Sequence, residues 1–401
     1  MIKDYIRRKN YLEKIKPFIN KDIIKVLIGQ RRVGKSYLLF QIMDEIRKEN
    51  AKADIIYINK ESYEFDGVND YSSLIKFIEK IGKTASKKYL FIDEVQEIDK
   101  FERALRHLQA SKKYDIYCTG SNSKIMSGEL ATGLSGRYIE FPVYSLTYKE
   151  FLDFHKLPEN DESFLKYVKF GGLPYLINLK LEDEVIYNYL QSIYNTIILK
   201  DVVQRFAVRN VDFLDRLVIY LADNIGSLVS AHKISDFLKS QKISISPNSV
   251  LNYLDNLVSS FFIFKCRREE IKGKKIFEIN EKYYFGDLGL RHVLIGYKQT
   301  DINKMLENLV FNQLLYLGYK VRVGKLENKE IDFIAERENK RIYLQTAYLI
   351  ADKSTEEREF GNLLSIHDAY PKYVISMDAL AGGNYKGVEH INIKDFLLKF
   401  E

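Results

Sequence analysis

The residues Gly29-Gln30-Arg31-Arg32-Val33-Gly34-Lys35-Ser36 combine two glycines, an ammonium and a hydroxyl at a spacing that encloses a polyphosphate. The glycines let the backbone curl until successive N–H groups face phosphate oxygens. Lys35 supplies a point charge to β- and γ-phosphates, and the Ser36 hydroxyl completes a magnesium shell. The nucleotide-contacting set runs from Gly29 through Tyr37. A second polar pair, Asp93-Glu94, ends the apolar run Tyr89-Leu90-Phe91-Ile92. Asp93 is placed to hold magnesium through water, and Glu94 to orient or deprotonate an attacking water. Asn122, with Ser121 second, is placed to reach that water or the γ-phosphate, although Gly-Ser-Asn is also ordinary turn chemistry. Arg137 could neutralise transition-state charge in its own subunit or a neighbour's; a surface salt bridge is the plain alternative.

These residues need elements that hold them. Ile23 to Ile28 is a short apolar, β-branched run, as expected of a buried parallel strand. The helix-like Tyr37 to Ile42 follows the loop, so the positive end of a helix adds to the phosphate site. Carboxylates at the C-terminal tip of a parallel strand lie where ligands of open α/β sheets bind. Ile55 to Ile58 is a third strand candidate, an order that implies an extra strand between the loop strand and the carboxylate strand. Asp115 to Thr119 and Tyr138 to Phe141 are the fourth and fifth. The fold class is α/β, a parallel sheet with helices on both faces.

With 401 residues the chain is long enough for two or three domains with their own cores. Six prolines and no low-complexity tract leave little room for long flexible linkers. Cys118 and Cys266 stand far apart and form no metal-ligand spacing, which fits a reducing cytosol. The basic N-terminus lacks the apolar core of a signal peptide, and no apolar run approaches the roughly 20 residues that span a bilayer. A cytoplasmic protein without a membrane partner is expected. The net charge of +7 permits nucleic-acid binding without demanding it.

At these residues the sequence resembles an ATPase of the AAA+ superfamily. More narrowly it resembles prokaryotic predicted ATPases in which an AAA+ module precedes an uncharacterised C-terminal domain. The resemblance is carried by the loop at 29–36, Phe91-Ile92-Asp93-Glu94-Val95-Gln96, Thr119-Gly120-Ser121-Asn122 and Leu134-Ser135-Gly136-Arg137. Phe170-Gly171-Gly172-Leu173-Pro174-Tyr175 and Ile198-Leu199-Lys200-Asp201-Val202-Val203 extend it over nearly the whole chain. By resemblance, Lys35 and Ser36 match the Walker A residues, Asp93 and Glu94 the Walker B pair, and Asn122 a sensor. Arg137 loosely matches an arginine finger, which in such ATPases acts across subunits, so a homo-oligomer is implied. Arg205 and Arg209 are candidates for a second sensor.

The segment from 146 to 215 reads as a helical lid or connector, broken by the Gly171-Gly172-Leu173-Pro174 turn. From 216 to 300 the pattern is that of a winged helix. Ile234 to Leu238 form one helix; Ser246 caps another with Pro247 at its first position. Val250, Leu251, Leu254, Leu257 and Val258 recur on one face of that helix. Strands at 261–264 and 276–279 flank the basic turn Lys272-Gly273-Lys274-Lys275. A basic wing suits DNA, but the exposed helix face offers Asn248, Ser249, Asn252 and Asp255, and such folds also serve protein contacts.

Residues 301–401 resemble a restriction-endonuclease-like core. Glu307 and Asp332 match its acidic metal ligands and Gln345 its glutamate or glutamine, while Ala347 occupies the lysine position. Without that ammonium, water activation and phosphate stabilisation both weaken, and a degenerate fold is expected; Lys353 is the nearby candidate to replace it. With residues 1–145 as the ATPase domain, the expected activity is Mg-ATP binding and hydrolysis in a nucleotide-dependent switch acting on DNA or a protein partner. The alternatives are a nucleotide-gated DNA nuclease resting on Glu307, Asp332 and Gln345, and an ATP-binding scaffold with little turnover.

Overall fold

The computed structural model describes residues 5–81, 87–123, 134, 136–240, 243, 245–273, 275–350, 353–378 and 381–400, with the side chains at 275 and 277–279 left aside. Ser135 and Lys274, each part of a motif above, lie outside the described residues. The chain divides into two compact units, Met1–Tyr144 with Ser259–Phe261, and Ser145–Val258 with Phe262–Glu401.

Unit 1 is a five-stranded parallel sheet in the order β2-β3-β4-β1-β5. Its strands are β1 (Ile24–Ile28), β2 (Asp54–Asn59), β3 (Lys88–Asp93), β4 (Tyr114–Gly120) and β5 (Tyr138–Pro142). Helices α1 (Lys9–Ile15), α2 (Lys35–Glu49), α3 (Tyr71–Ile81) and α4 (Phe101–Ala110) accompany them. Every residue of β1 and β3 is buried, the pattern of strands covered on both faces. Ile24, Val26 and Ile28 share a core with Leu90, Ile92, Ile116 and Cys118, closed by Leu74, Ile78, Leu105 and Leu108 from α3 and α4.

The spatial order differs from the expectation in one respect. β2 falls between the two site motifs in sequence, yet it lies at the sheet edge beside β3. The strand that separates loop strand from carboxylate strand is β4, paired with β1 on one side and β3 on the other. A crossover can pass over a strand position that a later segment fills, so chain order does not dictate neighbour order.

Unit 2 begins with α5 (Tyr148–His155), started by a capping box of Thr147 and Glu150, and α6 (Asp161–Phe170), capped by Asn160. α7 (Asp183–Thr196) runs into a π-helical stretch at Ile197–Gln204, then α8 (Val211–Asp223), α9 (Ala231–Ser240) and α10 (Pro247–Ser259) follow. Ser246 caps α10 through its hydroxyl and the Ser249 N–H at 3.2 Å. Val250, Leu254 and Leu257 are buried, but Leu251 is 41% exposed, so the apolar face is narrower than its spacing implies.

Strands β6 (Ile263–Glu270) and β7 (Lys275–Phe285) form the hairpin expected of a wing. That hairpin is not an isolated wing, because β6 also pairs with β8 (Lys320–Leu326). One eight-stranded sheet results, ordered β12-β13-β11-β10-β9-β8-β6-β7. Its other strands are β9 (Lys329–Arg337), β10 (Lys340–Thr346), β11 (Lys372–Ser376), β12 (Asn384–Tyr385) and β13 (Val388–Asn392). Helices α11 (Leu288–Ile295), α12 (Ile302–Tyr316), α13 (Lys353–Leu364) and α14 (Ile393–Lys399) belong to the same unit.

The Gly171-Gly172 motif is a packing joint. Gly171 has φ of 76°, and a Cβ there would come within 2.0 Å of Asp287 Oδ1; one on Gly172 would meet the Leu146 carbonyl oxygen at 2.5 Å. Asp287 accepts from the N–H groups of Gly172 and Gly289, each at 2.9 Å. Among the described residues no helix is long and apolar enough to cross a membrane.

Candidate functional site

β1, β3 and β4 are parallel neighbours, so their C-terminal tips bring Gly29, Asp93 and Thr119 to one edge of the sheet. Gly29 is obligatory for space, since a Cβ would lie 2.1 Å from the Val143 carbonyl oxygen. Arg32 at φ 71° and Gly34 at φ 96° turn the loop into α2, which starts at Lys35. The first turn of a helix leaves N–H groups without intrahelical acceptors, the arrangement that accepts an anion.

Lys35, 4% exposed, donates from Nζ to the Gly29 and Gln30 carbonyl oxygens at 3.0 Å each. Its ammonium lies 3.8 Å from Glu94. Gln30 is buried and its Nε2 has no acceptor among the described residues. Arg31 pairs with Glu61 at 2.8 Å, and the Val33 carbonyl accepts from Arg8 at 3.1 Å. Tyr37 is 44% exposed and packs edge-on against Phe40.

Asp93 and Glu94 are both buried, and Thr119 organises the two. Its hydroxyl donates to Asp93 Oδ1 and accepts from the Glu94 N–H at 2.8 Å. Tyr57 donates to Asp93 Oδ2 at 3.1 Å. Burial pushes the Asp93 carboxyl up, opposed by donation from Thr119 and Ser36. Burial would raise Glu94 too, but Lys35, the Gln96 amide, Arg31 and Ser121 outweigh it and hold Glu94 below the usual carboxylate range. Glu94 adopts a left-handed backbone with φ of 56°, which turns it away from the strand line at the tip. Ser121 and Asn122 follow at the tip of β4, both buried.

A model of an AAA domain family matches residues 21–152, and a domain of unknown function matches residues 161–301. The chain is 38% identical to an uncharacterised protein of Haemophilus influenzae over 406 residues, covering the whole of both. It is 32% identical to an uncharacterised protein of Methanocaldococcus jannaschii over 85% of this chain and 80% of that one. The Walker-type ATPase of Pyrococcus abyssi superposes on 73% of this chain and 97% of its own with a TM-score of 0.53 at 18% identity, a likeness of fold. The chain belongs to the AAA+ ATPases that carry a separate C-terminal domain of unknown function.

In this AAA+ ATPase the sequence-predicted residues Gly29 to Gly34, Asp93, Glu94 and Asn122 lie on loops and strand tips at the same sheet edge, and Lys35 to Tyr37 form the first turn of α2 that follows the loop. Arg137 does not join them. Ile24 of β1 pairs with Tyr138, so Arg137 is level with Ile23 at the opposite edge, exposed to solvent. From Ile23 to Gly29 the strand advances about 20 Å, at roughly 3.3 Å per residue, beyond the reach of one arginine side chain. Arg137 therefore stands out of reach of its own subunit's loop.

Sequence reasoning passed over Thr119, Gln96 and Tyr57. Thr119 was legible as the hydroxyl near the end of a strand beside the carboxylates; Gln96 and Tyr57 carry no such signal. In unit 2, Arg205 pairs with buried Asp201 at 3.5 Å, and Arg209 is exposed. Glu307, Asp332 and Gln345 do come together: Gln345 Oε1 accepts from the Asp332 N–H at 3.2 Å, and both acids lie within 4.0 Å of the Lys282 ammonium. Ala347 is buried and Lys353 exposed at the start of α13.

Proposed function

We propose that unit 1 binds Mg-ATP and hydrolyses it to ADP and phosphate, and that the change at the site switches the C-terminal unit's engagement of DNA or a protein partner. The observation that carries this reading is Lys35. A buried ammonium hydrogen-bonded to loop carbonyls, with Glu94 at 3.8 Å and beside a Gln30 amide that has no partner among the described residues, suits replacement of its internal bonds by phosphate oxygens. The donor set fits the nucleotide, with N–H groups, one ammonium and one amide for the phosphates. Ser36 and Asp93 are the oxygen donors that would hold magnesium. Magnesium there would neutralise charge developing on the terminal phosphates.

The chain's own residues then divide the work. Thr119 fixes Asp93 and the Glu94 backbone through one hydroxyl, so the two carboxylates keep their separate tasks. Glu94, held ionised by Lys35 and Gln96, accepts a proton from the attacking water. Asn122 orients that water or the leaving phosphate from the neighbouring strand tip. Arg137, at the far edge and exposed, acts across a subunit interface in a homo-oligomer.

Support for the switch lies just beyond Asn122. The Ser123 N–H donates to the Ser259 carbonyl at 2.8 Å, and Ser259 ends α10 while belonging to unit 1. ATPase rate titrated with duplex, single-stranded and branched DNA tests the partner, with stimulation by one of them expected. Unchanged rates with every nucleic acid would move the partner to protein, and absence of basal turnover with full ATP binding would favour the scaffold.

A further inference from the structure

The segment ahead of α1 is fastened to α2 and delivers a buried cation to the phosphate-binding loop. Gln41, buried on α2, accepts from the Arg8 N–H at 3.0 Å and donates from Nε2 to the Ile6 carbonyl oxygen at 3.2 Å. Tyr5 donates to Asp44 and Arg7 pairs with Glu45, both on the same helix. Arg8, which follows, is 3% exposed. Its Nη1 donates to the Val33 carbonyl oxygen at 3.1 Å and to the Tyr144 carbonyl oxygen at 2.9 Å. One nitrogen thus ties the loop to the segment after β5.

The far end of that tie is itself fixed. The Arg8 guanidinium carbon lies 4.4 Å from the Tyr11 ring centroid, and the Tyr11 hydroxyl accepts from the Tyr144 N–H at 3.1 Å. Val143, one residue earlier, donates to the Ile28 carbonyl oxygen at 2.7 Å. The loop end is the part that needs holding. Gly34 takes either sign of φ readily, so the Val33–Gly34 peptide can flip unless its oxygen is held. That peptide is trans, and a trans peptide points its C=O and the next N–H in opposite directions. With its oxygen on Arg8, the Gly34 N–H is turned away from the guanidinium. This N–H has no acceptor among the described residues.

We infer that Arg8 is a positioning residue of the nucleotide site: it holds the Val33 carbonyl so that the Gly34 N–H stays directed at a phosphate oxygen, without touching the nucleotide itself. The inference rests on the reading of unit 1 as an ATP site. Without the guanidinium the peptide samples its flipped orientation, which offers the phosphate a carbonyl oxygen in place of a donor. Apparent affinity then falls with the fraction of molecules whose N–H is in place.

The test uses the full chain and two variants: Arg8→Met, which removes the donors, and Arg8→Lys, which returns one cationic nitrogen on a shorter stem. Mg-ATP affinity by calorimetry is expected to fall about tenfold or more in Arg8→Met, as on losing a hydrogen bond from a charged group, and to recover in part in Arg8→Lys. Hydrogen exchange of the nucleotide-free proteins, read by mass spectrometry, is expected to quicken over residues 30–36 in the same order, with β3 unchanged. Should Arg8→Met fail to fold, Arg8→Lys is expected to shift both readouts the same way by less, and wild-type values of both would overturn the inference. Weakened binding with unchanged loop exchange overturns it as well, because Arg8 would then act on the base, the sugar or through charge alone. So does undiminished binding by folded Arg8→Met. A wild type that binds no nucleotide overturns the reading of the site and this inference together, whereas the other failures leave that reading standing.

Discussion

Two lysines of this protein face carboxylates, and they are held in opposite ways. Lys35 rests on neutral carbonyls of its own loop, with Glu94 at 3.8 Å. Lys282 is gripped by charged oxygens at 2.8 and 2.9 Å from two further elements. A phosphate oxygen can displace the first set of bonds at little cost, because it brings more charge than it removes. Opening the second set would leave buried carboxylates without their counter-charge. On the proposed function, the same side chain serves a ligand in one unit and the fold in the other.

The largest contrast should appear on removing each ammonium. Lys35→Ala is expected to lower ATP turnover roughly a hundredfold or more, read as phosphate release. Lys282→Met should leave nucleotide affinity unchanged; a matching loss of affinity there would erase the distinction. Glu94→Gln should retain ATP binding by calorimetry and lose turnover by about two orders of magnitude. Lost binding would instead make that carboxylate part of the loop's structure.

Stability measurements sharpen the other side. Lys282→Met should cost about 3–5 kcal/mol in denaturant unfolding of unit 2, the usual result of breaking one half of a buried pair. Gly171→Ala should cost about 1–3 kcal/mol through its left-handed backbone and the approach to Asp287, with ATP binding intact. The smallest effect is a pH dependence. Burial pushes the Glu307 carboxyl up to about 7, against the pull of Lys282. A value raised in the folded state stabilises fully below the unfolded value near 4.3 and is lost as pH rises through 7. Stability of wild type relative to Glu307→Gln should therefore fall between about pH 5 and 8; a flat difference would remove Glu307 from the account.

Much of unit 1 was legible because its chemistry is local. The loop, the strand before it and the helix after it are contiguous, and Asp93-Glu94 announce a strand tip by following an apolar run. Neighbour order was not legible, since nothing in β2 or β4 states which one a crossover places beside β1. In unit 2 the acids Glu307 and Asp332 were readable as candidates. Their ammonium was not, because Lys282 lies on a different strand and its role exists only once β7 joins the common sheet. Leu251 matched the helical spacing of its neighbours yet faces solvent, since spacing defines a stripe but not its width.

The return of Ser259 to Phe261 into unit 1 bears on how this chain can be divided. Phe261 packs against the core built by β1, β3 and β4, and Ser259 receives the Ser123 N–H. A shortened protein ending at Tyr144 would keep every residue proposed to contact nucleotide but expose that apolar patch and strand an amide next to Asn122. Self-sufficiency of the first unit therefore requires three residues encoded more than a hundred codons downstream.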